Sequence, residues 1–179
     1  RDSTVEIHHA DDYCEALAKA GVMVDRSQRE RLIRSALDSE AQACSASVDC
    51  PQGLFEELVD LVEAPRVLSG EIADCYLDLP PEVIVTVMQS HQRYVPLKRK
   101  SAQHDPLALQ ARDALLPKFL LVSNGLDRAD TTIVRGNERV LGARLADAEF
   151  FLNVDRKSAS EVRRDALDRV TFAKGLGSL

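Results

Sequence analysis

The alternation of apolar and polar residues along the chain predicts mostly helices. After Asp25, apolar side chains recur three and four positions apart, as at Ile33 and Leu37, which is the spacing of one helix face. Asp25 is a favoured N-cap residue, and Gln28 stands at the capping-box position three residues later. The same spacing of apolar residues, with matching start and stop signals, predicts five further helices, over the ranges 11–20, 51–64, 81–92, 136–155 and 158–167.

Shorter apolar runs predict strands. The run over 117–124 is the longest of them and stops at an Asn-Gly pair, so we expect it to be a central strand. Residues 4–8 alternate β-branched and polar side chains, which predicts an edge strand. Two more short strands are predicted, over 66–68 before a turn at 69–70, and over 94–97.

Together these elements predict an α+β fold, with a mixed sheet of short strands flanked by several helices. Residues 99–116 are predicted to be a loop or insertion with a short helix. No internal repeat and no linker rich in Pro, Gly or Ser divides the sequence, so residues 1–179 are predicted to form a single domain. No apolar run approaches the roughly 20 residues that span a bilayer, so we expect no membrane association. The chain starts with Arg1 rather than Met, and we therefore expect a fragment of a longer protein.

The formal net charge of −6 by itself argues against a protein that binds nucleic acid. The charge is unevenly distributed, however, because residues 1–90 carry a net −11 and residues 91–179 a net +5. This asymmetry is compatible with a basic binding face or with an acidic docking face. It is equally compatible with two solvated surfaces of one ordinary domain.

Residue types that carry catalysis or bind metals do not cluster in the sequence. The cysteines Cys14, Cys44, Cys50 and Cys75 form no CxxC pair and have no histidine at zinc-ligand spacing. They are interpreted as reduced and partly buried, as in a cytoplasmic protein. No glycine-rich phosphate loop and no Ser-His-Asp or Cys-His arrangement at motif spacing is visible. We therefore expect no catalytic residue and no metal site.

Two polar segments contain hydrogen-bond donors suited to phosphate, ribose or base contacts. The first is His91-Gln92-Arg93-Tyr94, and the second is Arg135-Gly136-Asn137-Glu138-Arg139, predicted at the start of the long helix. The alternatives are a capped helix end for the first segment and salt bridges within the domain for the second. Farther along the long helix, Arg144 is predicted to border the buried side, with Asp147 as its partner. The candidate binding residues are His91, Gln92, Arg93, Lys98, Arg135, Asn137 and Arg139.

The same segments resemble a known family. Leu79-Pro80-Pro81-Glu82-Val83, followed by His91-Gln92-Arg93-Tyr94-Val95-Pro96, resembles the LPxEV…HQKYFP signature of the β subunit of bacterial heterotetrameric glycyl-tRNA synthetase. Gly136-Asn137-Glu138-Arg139-Val140-Leu141 and the stretch over 143–151 continue the resemblance, which is collinear over nearly the whole chain. Gly142 departs from the family pattern, which often has Arg there.

The resemblance implies a non-catalytic fragment from the amino-terminal half of the β subunit of glycine–tRNA ligase. The whole enzyme would join glycine to tRNA(Gly) in the cytoplasm as an α2β2 assembly. ATP and Mg²⁺ would be used at the aminoacylation site on the α subunit, with no cofactor in this segment. The fragment would contribute tRNA binding, through the seven candidate residues, and subunit assembly.

Two alternatives stay open at this point. The first is a docking module whose acidic half binds the α subunit or another β domain. The second is a vestigial editing-type domain, like the one in phenylalanyl-tRNA synthetase. Glycine is the smallest amino acid, so an editing site that sorts by size would have little to discard, which disfavours this alternative.

Overall fold

The computed structural model describes residues 4–100, 110–125 and 127–157, together with the isolated positions 162, 164, 167 and 170. Its helices are α1 (Tyr13–Lys19), α2 (Arg26–Ala43), α3 (Gln52–Leu61), α4 (Pro81–Thr86), α5 (Ala111–Ala114) and α6 (Asp130–Lys157). Its strands are β1 (Ala46–Val48), β2 (Arg66–Glu71), β3 (Val95–Arg99) and β4 (Leu115–Ser123). A π-helical turn, Val87–Gln92, follows α4 directly.

The four strands form one sheet in the order β1-β3-β4-β2. The predicted α+β class is confirmed, and β4 lies inside the sheet, as the apolar run over 117–124 predicted. All three pairings are antiparallel, although a mixed sheet was expected. Local patterns predict that a strand exists but carry no information on its direction relative to a partner far away in the sequence.

Helices α2 and α3 cover one face of the sheet. Successive side chains of β4 point to opposite faces, so Leu120 faces these helices while Phe119 faces away. The core on this side is aliphatic apart from Phe55. Its buried members are Ile33, Leu37, Ala41, Ala46, Phe55, Leu58, Val59, Val62, Val95, Leu97 and Leu120.

The opposite face of the sheet centres on Phe119, which is completely buried. Its ring stacks on Tyr94, with 4.6 Å between the ring centroids and 26° between the planes. Gly70 on β2 lies directly opposite Phe119 in the strand register. A Cβ atom at Gly70 would stand 2.5 Å from Cζ of Phe119, so only glycine fits there without movement of the ring.

The start of α2 confirms the capping prediction for Asp25, whose carboxylate accepts a hydrogen bond from the Ser27 backbone N–H at 2.8 Å. Arg29, one turn into the helix, is partly buried. Its guanidinium donates to three backbone carbonyls, those of Met23, Val24 and Val59. These bonds tie the segment before α2 to the end of α3.

Some predicted strands and turns differ from the structure. Residues 4–7 form no strand, because exposed alternating residues without a neighbouring strand have nothing to pair with. The turn predicted at 69–70 is part of β2, which continues to Glu71 because β4 pairs with it along its whole length.

The predicted loop over 99–116 has different bounds. Arg99 ends β3, the short helix is α5, and β4 already begins at Leu115. The backbone N–H of Ala111 donates to the Leu79 carbonyl oxygen at 2.8 Å, which anchors α5 to the start of α4. Residues 101–109 lie outside the described part of the chain.

The long helix begins six residues before its predicted start, at Asp130 instead of position 136. Glycine inside a helix costs about 1 kcal/mol, but the helix continues through Gly136 because the buried Leu141 and Leu145 on the same helix outweigh this cost. The helix predicted over 158–167 lies mostly outside the described residues.

Residues 1–145 and 146–179 form two compact units by their internal contacts. The single domain over 1–179 therefore stays a prediction. Among the described residues of the second unit, none is buried. Over the part of the chain that the structure describes, no helix combines the length and the apolar character needed to cross a membrane.

Candidate functional site

The polar segment at 91–94 lies where the helical backbone turns into β3. After α4 the hydrogen bonding widens to the π-helical pattern, which is rare and frequently marks functional sites. Arg93 then adopts the left-handed conformation, with φ 56° and ψ 32°, which non-glycine residues adopt uncommonly. This reversal exposes His91 and Arg93 while Tyr94 turns into the core.

Two of the predicted binding residues here are engaged in ion pairs. The Nε of Arg93 lies 2.7 Å from Oε1 of Glu57 on α3. The Nζ of Lys98 lies 3.0 Å from Oδ2 of Asp49, whose backbone carbonyl also accepts a bond from Gln89. Both pairs are partly exposed, so their net contribution to stability is small and their charges stay accessible to a partner.

The histidine and glutamine of this segment are placed differently from the cations. His91 is exposed, and its side chain makes no hydrogen bond or ion pair with the other described residues. Gln92, the last residue of the π-helical turn, is partly buried. Of these two residues, His91 is therefore the more accessible to a partner.

Tyr94 links this segment to the second polar segment. Its hydroxyl donates to Oδ1 of Asn137 at 2.5 Å, and the Asn137 amide nitrogen donates to the Ile133 carbonyl at 2.7 Å. Burial raises the pKa of Tyr94, which keeps the phenol protonated and able to donate. The amide of Asn137 is thus engaged at both of its polar atoms.

The second polar segment lies inside α6, not at its start. Asn137 points towards Tyr94, and the next residue, Glu138, accepts a hydrogen bond from the backbone N–H of Glu71 at 2.9 Å. A helix turns about 100° per residue, so Arg135 and Arg139, each two residues from Asn137, project away from the sheet. Both arginines are exposed, and they lie one turn apart on the outer side of α6.

The predicted structural residues Arg144 and Asp147 are both exposed. The buried side of α6 runs through Leu141 and Leu145 instead. Arg144 follows Leu141 by three positions and precedes Leu145, so it lies at the edge of this buried side and its side chain is exposed. Its pairing with Asp147 stays a prediction.

The structure brings together residues that sequence reasoning did not connect. Glu57, Asp49 and Glu138 make these contacts but were not among the candidates: Glu57 pairs with Arg93, Asp49 pairs with Lys98, and Glu138 accepts the bond from the Glu71 backbone. Tyr94 was not among the seven candidates, although its hydroxyl makes the contact between the two segments. Each of these contacts joins residues far apart in the sequence, so no local spacing could have revealed it.

A cleft of about 440 Å³ lies between β2, β4 and α6, and its lining includes Glu71, Asp74, Lys118, Glu138 and Gly142. Within the described ranges, no group of three or more His, Cys, Asp or Glu side chains is arranged to hold a metal ion. Burial raises the pKa of the Cys50 thiol to about 11, which makes it a poor nucleophile at neutral pH.

Over residues 1–179 the sequence matches the protein family described as glycyl-tRNA synthetase beta subunit. The chain belongs to this family. It is 37% identical over 175 residues to the glycine–tRNA ligase beta subunit of Chromohalobacter salexigens, and 38% identical over 175 residues to that of Natranaerobius thermophilus. Each comparison covers 98% of this chain but only 24% of the relative, so the chain spans about a quarter of the length of the curated relatives it matches.

This result confirms the resemblance that rested on two motifs. The structure adds that these motifs are in contact, because Tyr94 belongs to the first and Asn137 to the second. The exposed cations of these motifs lie on different sides of the sheet, because Arg93 pairs with Glu57 on α3, whereas Arg135 and Arg139 project outward from α6 on the opposite face. In this member of the glycyl-tRNA synthetase beta subunit family, we call the outer side of α6, with Arg135 and Arg139, the basic surface.

Proposed function

We propose that this chain contributes to glycyl-tRNA synthesis by binding tRNA and by holding the synthetase subunits together. The family match over the whole chain carries this proposal. Aminoacylation with ATP and Mg²⁺ takes place on the α subunit of an α2β2 enzyme in the cytoplasm, and the chain itself supplies no catalytic group. Its role is to present the basic surface to the phosphates of tRNA(Gly).

The exposure of the basic surface supports tRNA binding. Arg135 and Arg139 lie one helical turn apart and face solvent, an arrangement in which two guanidinium groups can contact neighbouring phosphates. The net charge of +5 over residues 91–179 supplies long-range attraction for a polyanion. Asn137 and Lys98 are engaged within the protein and contribute less to the contact.

Replacing Arg135 and Arg139 together by alanine in the assembled synthetase is expected to weaken tRNA(Gly) binding about tenfold at moderate salt. The slope of log Kd against log salt concentration should fall by roughly 0.7–0.9 for each phosphate contact that is lost. Filter binding at several salt concentrations measures both quantities.

A matched control removes the same charge elsewhere. Lys19 and Arg31 are exposed on α1 and α2, in the acidic half of the chain, and their joint replacement by alanine should leave tRNA affinity within about twofold. If both double variants lose the same affinity, the effect is one of net charge and the basic surface is not the contact.

The second part of the proposal, subunit assembly, is favoured by the second unit. Several of its described apolar side chains lie on the surface, with Phe150 and Phe151 each 63% exposed. Their rings contact each other edge to face, at a centroid distance of 5.5 Å. Apolar side chains exposed in this number indicate a surface that a partner covers. The exposed set is Phe150, Phe151, Val154, Val162, Leu167 and Val170.

The acidic half is the weaker candidate for docking. Three carboxylates there, Glu56, Glu57 and Asp60, would be the obvious contacts for a basic partner. Each has a partner within the chain: Gln52, Arg93 and Arg26, respectively. The local negative potential is partly neutralised as a result, and the exposed aromatic pair offers more to a protein partner.

Replacing Phe150 and Phe151 together by serine is expected to weaken association of the α and β subunits at least about tenfold, because two aromatic contacts at the interface are lost. Sedimentation velocity across a concentration series measures this change. Leu61 is 61% exposed on α3, and Leu61→Ser is the control that should leave assembly unchanged. Unaltered assembly of the double serine variant would exclude this surface as the interface.

A further inference from the structure

We infer that the outer edge of β2 is a docking site for an extended segment of the α subunit, which adds to the sheet as a further strand and places a Lys or Arg side chain in the cleft between β2, β4 and α6. The inference rests on the proposed role in subunit assembly and goes beyond it. It assigns a second contact, apart from the exposed aromatic pair, and it states what form and what charge the partner segment has.

The direction of the backbone groups along β2 follows from one bond at its end. The backbone N–H of Ile72 donates to the Pro117 carbonyl at 3.0 Å, which continues the pairing of β2 with β4 by one residue. In an antiparallel pair, every second residue directs its N–H and C=O to the partner strand. Counting back from Ile72, the backbone groups of Glu71, Ser69 and Val67 therefore point away from β4.

Two of these outward positions lack a partner within the described part of the chain. The N–H of Glu71 donates to Oε1 of Glu138 on α6 at 2.9 Å, as expected for a group directed off the sheet. No described residue is bonded to the N–H of Val67 or Ser69, and no described strand pairs with β2 on this side. Each of the two residues thus offers one donor and one acceptor to an added strand, and we call these groups the β2 edge.

The β2 edge is the more available of the two edges of the sheet. The strand at the other edge, β1, has three residues, whereas β2 has six. Proteins commonly protect an edge strand with lysine, proline or a bulge. β2 contains neither lysine nor proline, and its register with β4 is continuous. Val67 and Leu68, in the middle of the strand, are only partly buried, and an added strand would cover them.

The cleft at the end of β2 supplies charge complementarity for the partner. Glu71 and Asp74 line it where β2 ends, and Glu138 lines it from α6. Lys118 is the one cation of the lining, and none of the three carboxylates is in an ion pair with another described residue. Gly142 leaves its side of the cleft open, because a Cβ atom there would meet nothing within 4 Å. A Lys or Arg side chain fits this negative lining.

The β2 edge and the cleft are adjacent, so one segment can use both. Neighbouring strands lie about 4.8 Å apart, and a strand that pairs with Val67 and Ser69 passes Glu71 at the mouth of the cleft. When a strand is added to a sheet, the backbone bonds supply affinity and the side-chain pockets supply specificity.

The first test removes one donor of the β2 edge from the assembled synthetase. Ser69→Pro deletes an N–H that faces away from β4, so the pairing of β2 with β4 is retained. It should weaken association of the α and β subunits at least about tenfold, as measured by sedimentation velocity. Ser69→Ala keeps the N–H and should leave association unchanged. Thermal unfolding of both variants verifies that the fold is retained.

The second test uses the unmodified proteins. The amides of Val67 and Ser69 should exchange hydrogen at least about tenfold more slowly in the assembled synthetase than in the isolated β subunit. The amides of Leu68 and Gly70 are the internal control, because they face β4 in both states and should change little.

The third test concerns the charge of the partner segment. Glu71→Gln combined with Asp74→Asn keeps the size of both side chains and removes two negative charges from the cleft. Association of the subunits should weaken about fivefold or more and should become less dependent on salt. The matched control is Asp38→Asn combined with Glu82→Gln, two exposed carboxylates outside the cleft, and it should change association less than about twofold.

The outcomes that overturn the inference are distinguishable from a failure of the proposed function. If Ser69→Pro leaves association unchanged, or if Val67 and Ser69 exchange equally in the isolated and the assembled β subunit, the β2 edge is not the docking site. The proposed role in assembly then stands as long as replacement of Phe150 and Phe151 still weakens association. If the unmodified subunits do not associate through this chain at all, the proposed role fails and the inference fails with it.

Discussion

Phe119→Ala is expected to lower the free energy of unfolding by about 3–5 kcal/mol, the usual cost of removing a fully buried phenyl ring. Phe119 is completely buried, and its ring contacts both Tyr94 and the backbone of Gly70. The cavity left behind is bordered by strands that cannot close over it without disrupting the sheet. Urea unfolding followed by circular dichroism measures the loss.

The control is Phe150→Ala, which removes the same side chain from a position that is 63% exposed. It should cost less than about 1 kcal/mol. A similar loss for both variants would show that Phe119 does not occupy the centre of a tightly packed core.

The same packing can be tested from its other side. Gly70→Ala places a methyl group 2.5 Å from the Phe119 ring and should cost about 1–3 kcal/mol through overpacking. Phe119→Leu shortens the facing side chain. The loss of unfolding free energy in the double variant Gly70→Ala/Phe119→Leu should therefore be less than the sum of the two single losses. Strict additivity would contradict a direct contact between the two positions.

Arg29→Ala is expected to lower the free energy of unfolding by about 2–4 kcal/mol, because hydrogen bonds from a charged donor contribute about 1.5–3 kcal/mol each. Arg29 donates to three carbonyls, and the closest, that of Met23, is 2.7 Å from Nη1. Amide hydrogen exchange at Met23, which is bonded to the Glu63 carbonyl, should accelerate as the segment before α2 loosens.

Two variants serve as controls. Arg31→Ala removes the same side chain two positions along, where it is exposed, and should cost less than about 0.5 kcal/mol. Arg29→Lys keeps the positive charge but lacks the planar guanidinium with its several N–H donors. It should therefore recover only part of the lost unfolding free energy. Full recovery by lysine would indicate that charge, and not the bonds to the carbonyls, is responsible.

The fold was predictable wherever one local pattern dominated. The cap at Asp25 and the stripe through Ile33 and Leu37 predicted α2, and the apolar run over 117–124 predicted β4 in the interior of the sheet. The prediction went wrong where a distant contact decides the structure. The glycine of the expected turn at 69–70 is needed because the Phe119 ring, on another strand, lies against it.

The candidate site likewise has features that the local sequence predicted and features that depend on distant contacts. The motifs were recognisable as sequence, and the family comparison confirmed what they resemble. Their mutual arrangement was not predictable, because Tyr94 and Asn137 meet only after the sheet and α6 have packed together. Asn137 was placed among the binding residues because asparagine commonly contacts nucleic acid, whereas the structure engages its amide within the protein.

The strand order has a consequence for the time course of folding. β1 pairs with β3, and β2 pairs with β4, so both edge strands are made on the ribosome long before their partners. Such long-range pairings are slow because the entropy of closing the intervening chain is lost before any contact compensates for it. The sheet cannot close until Ser123 has been synthesised, and until then the apolar faces of α2 and α3 are available to chaperones.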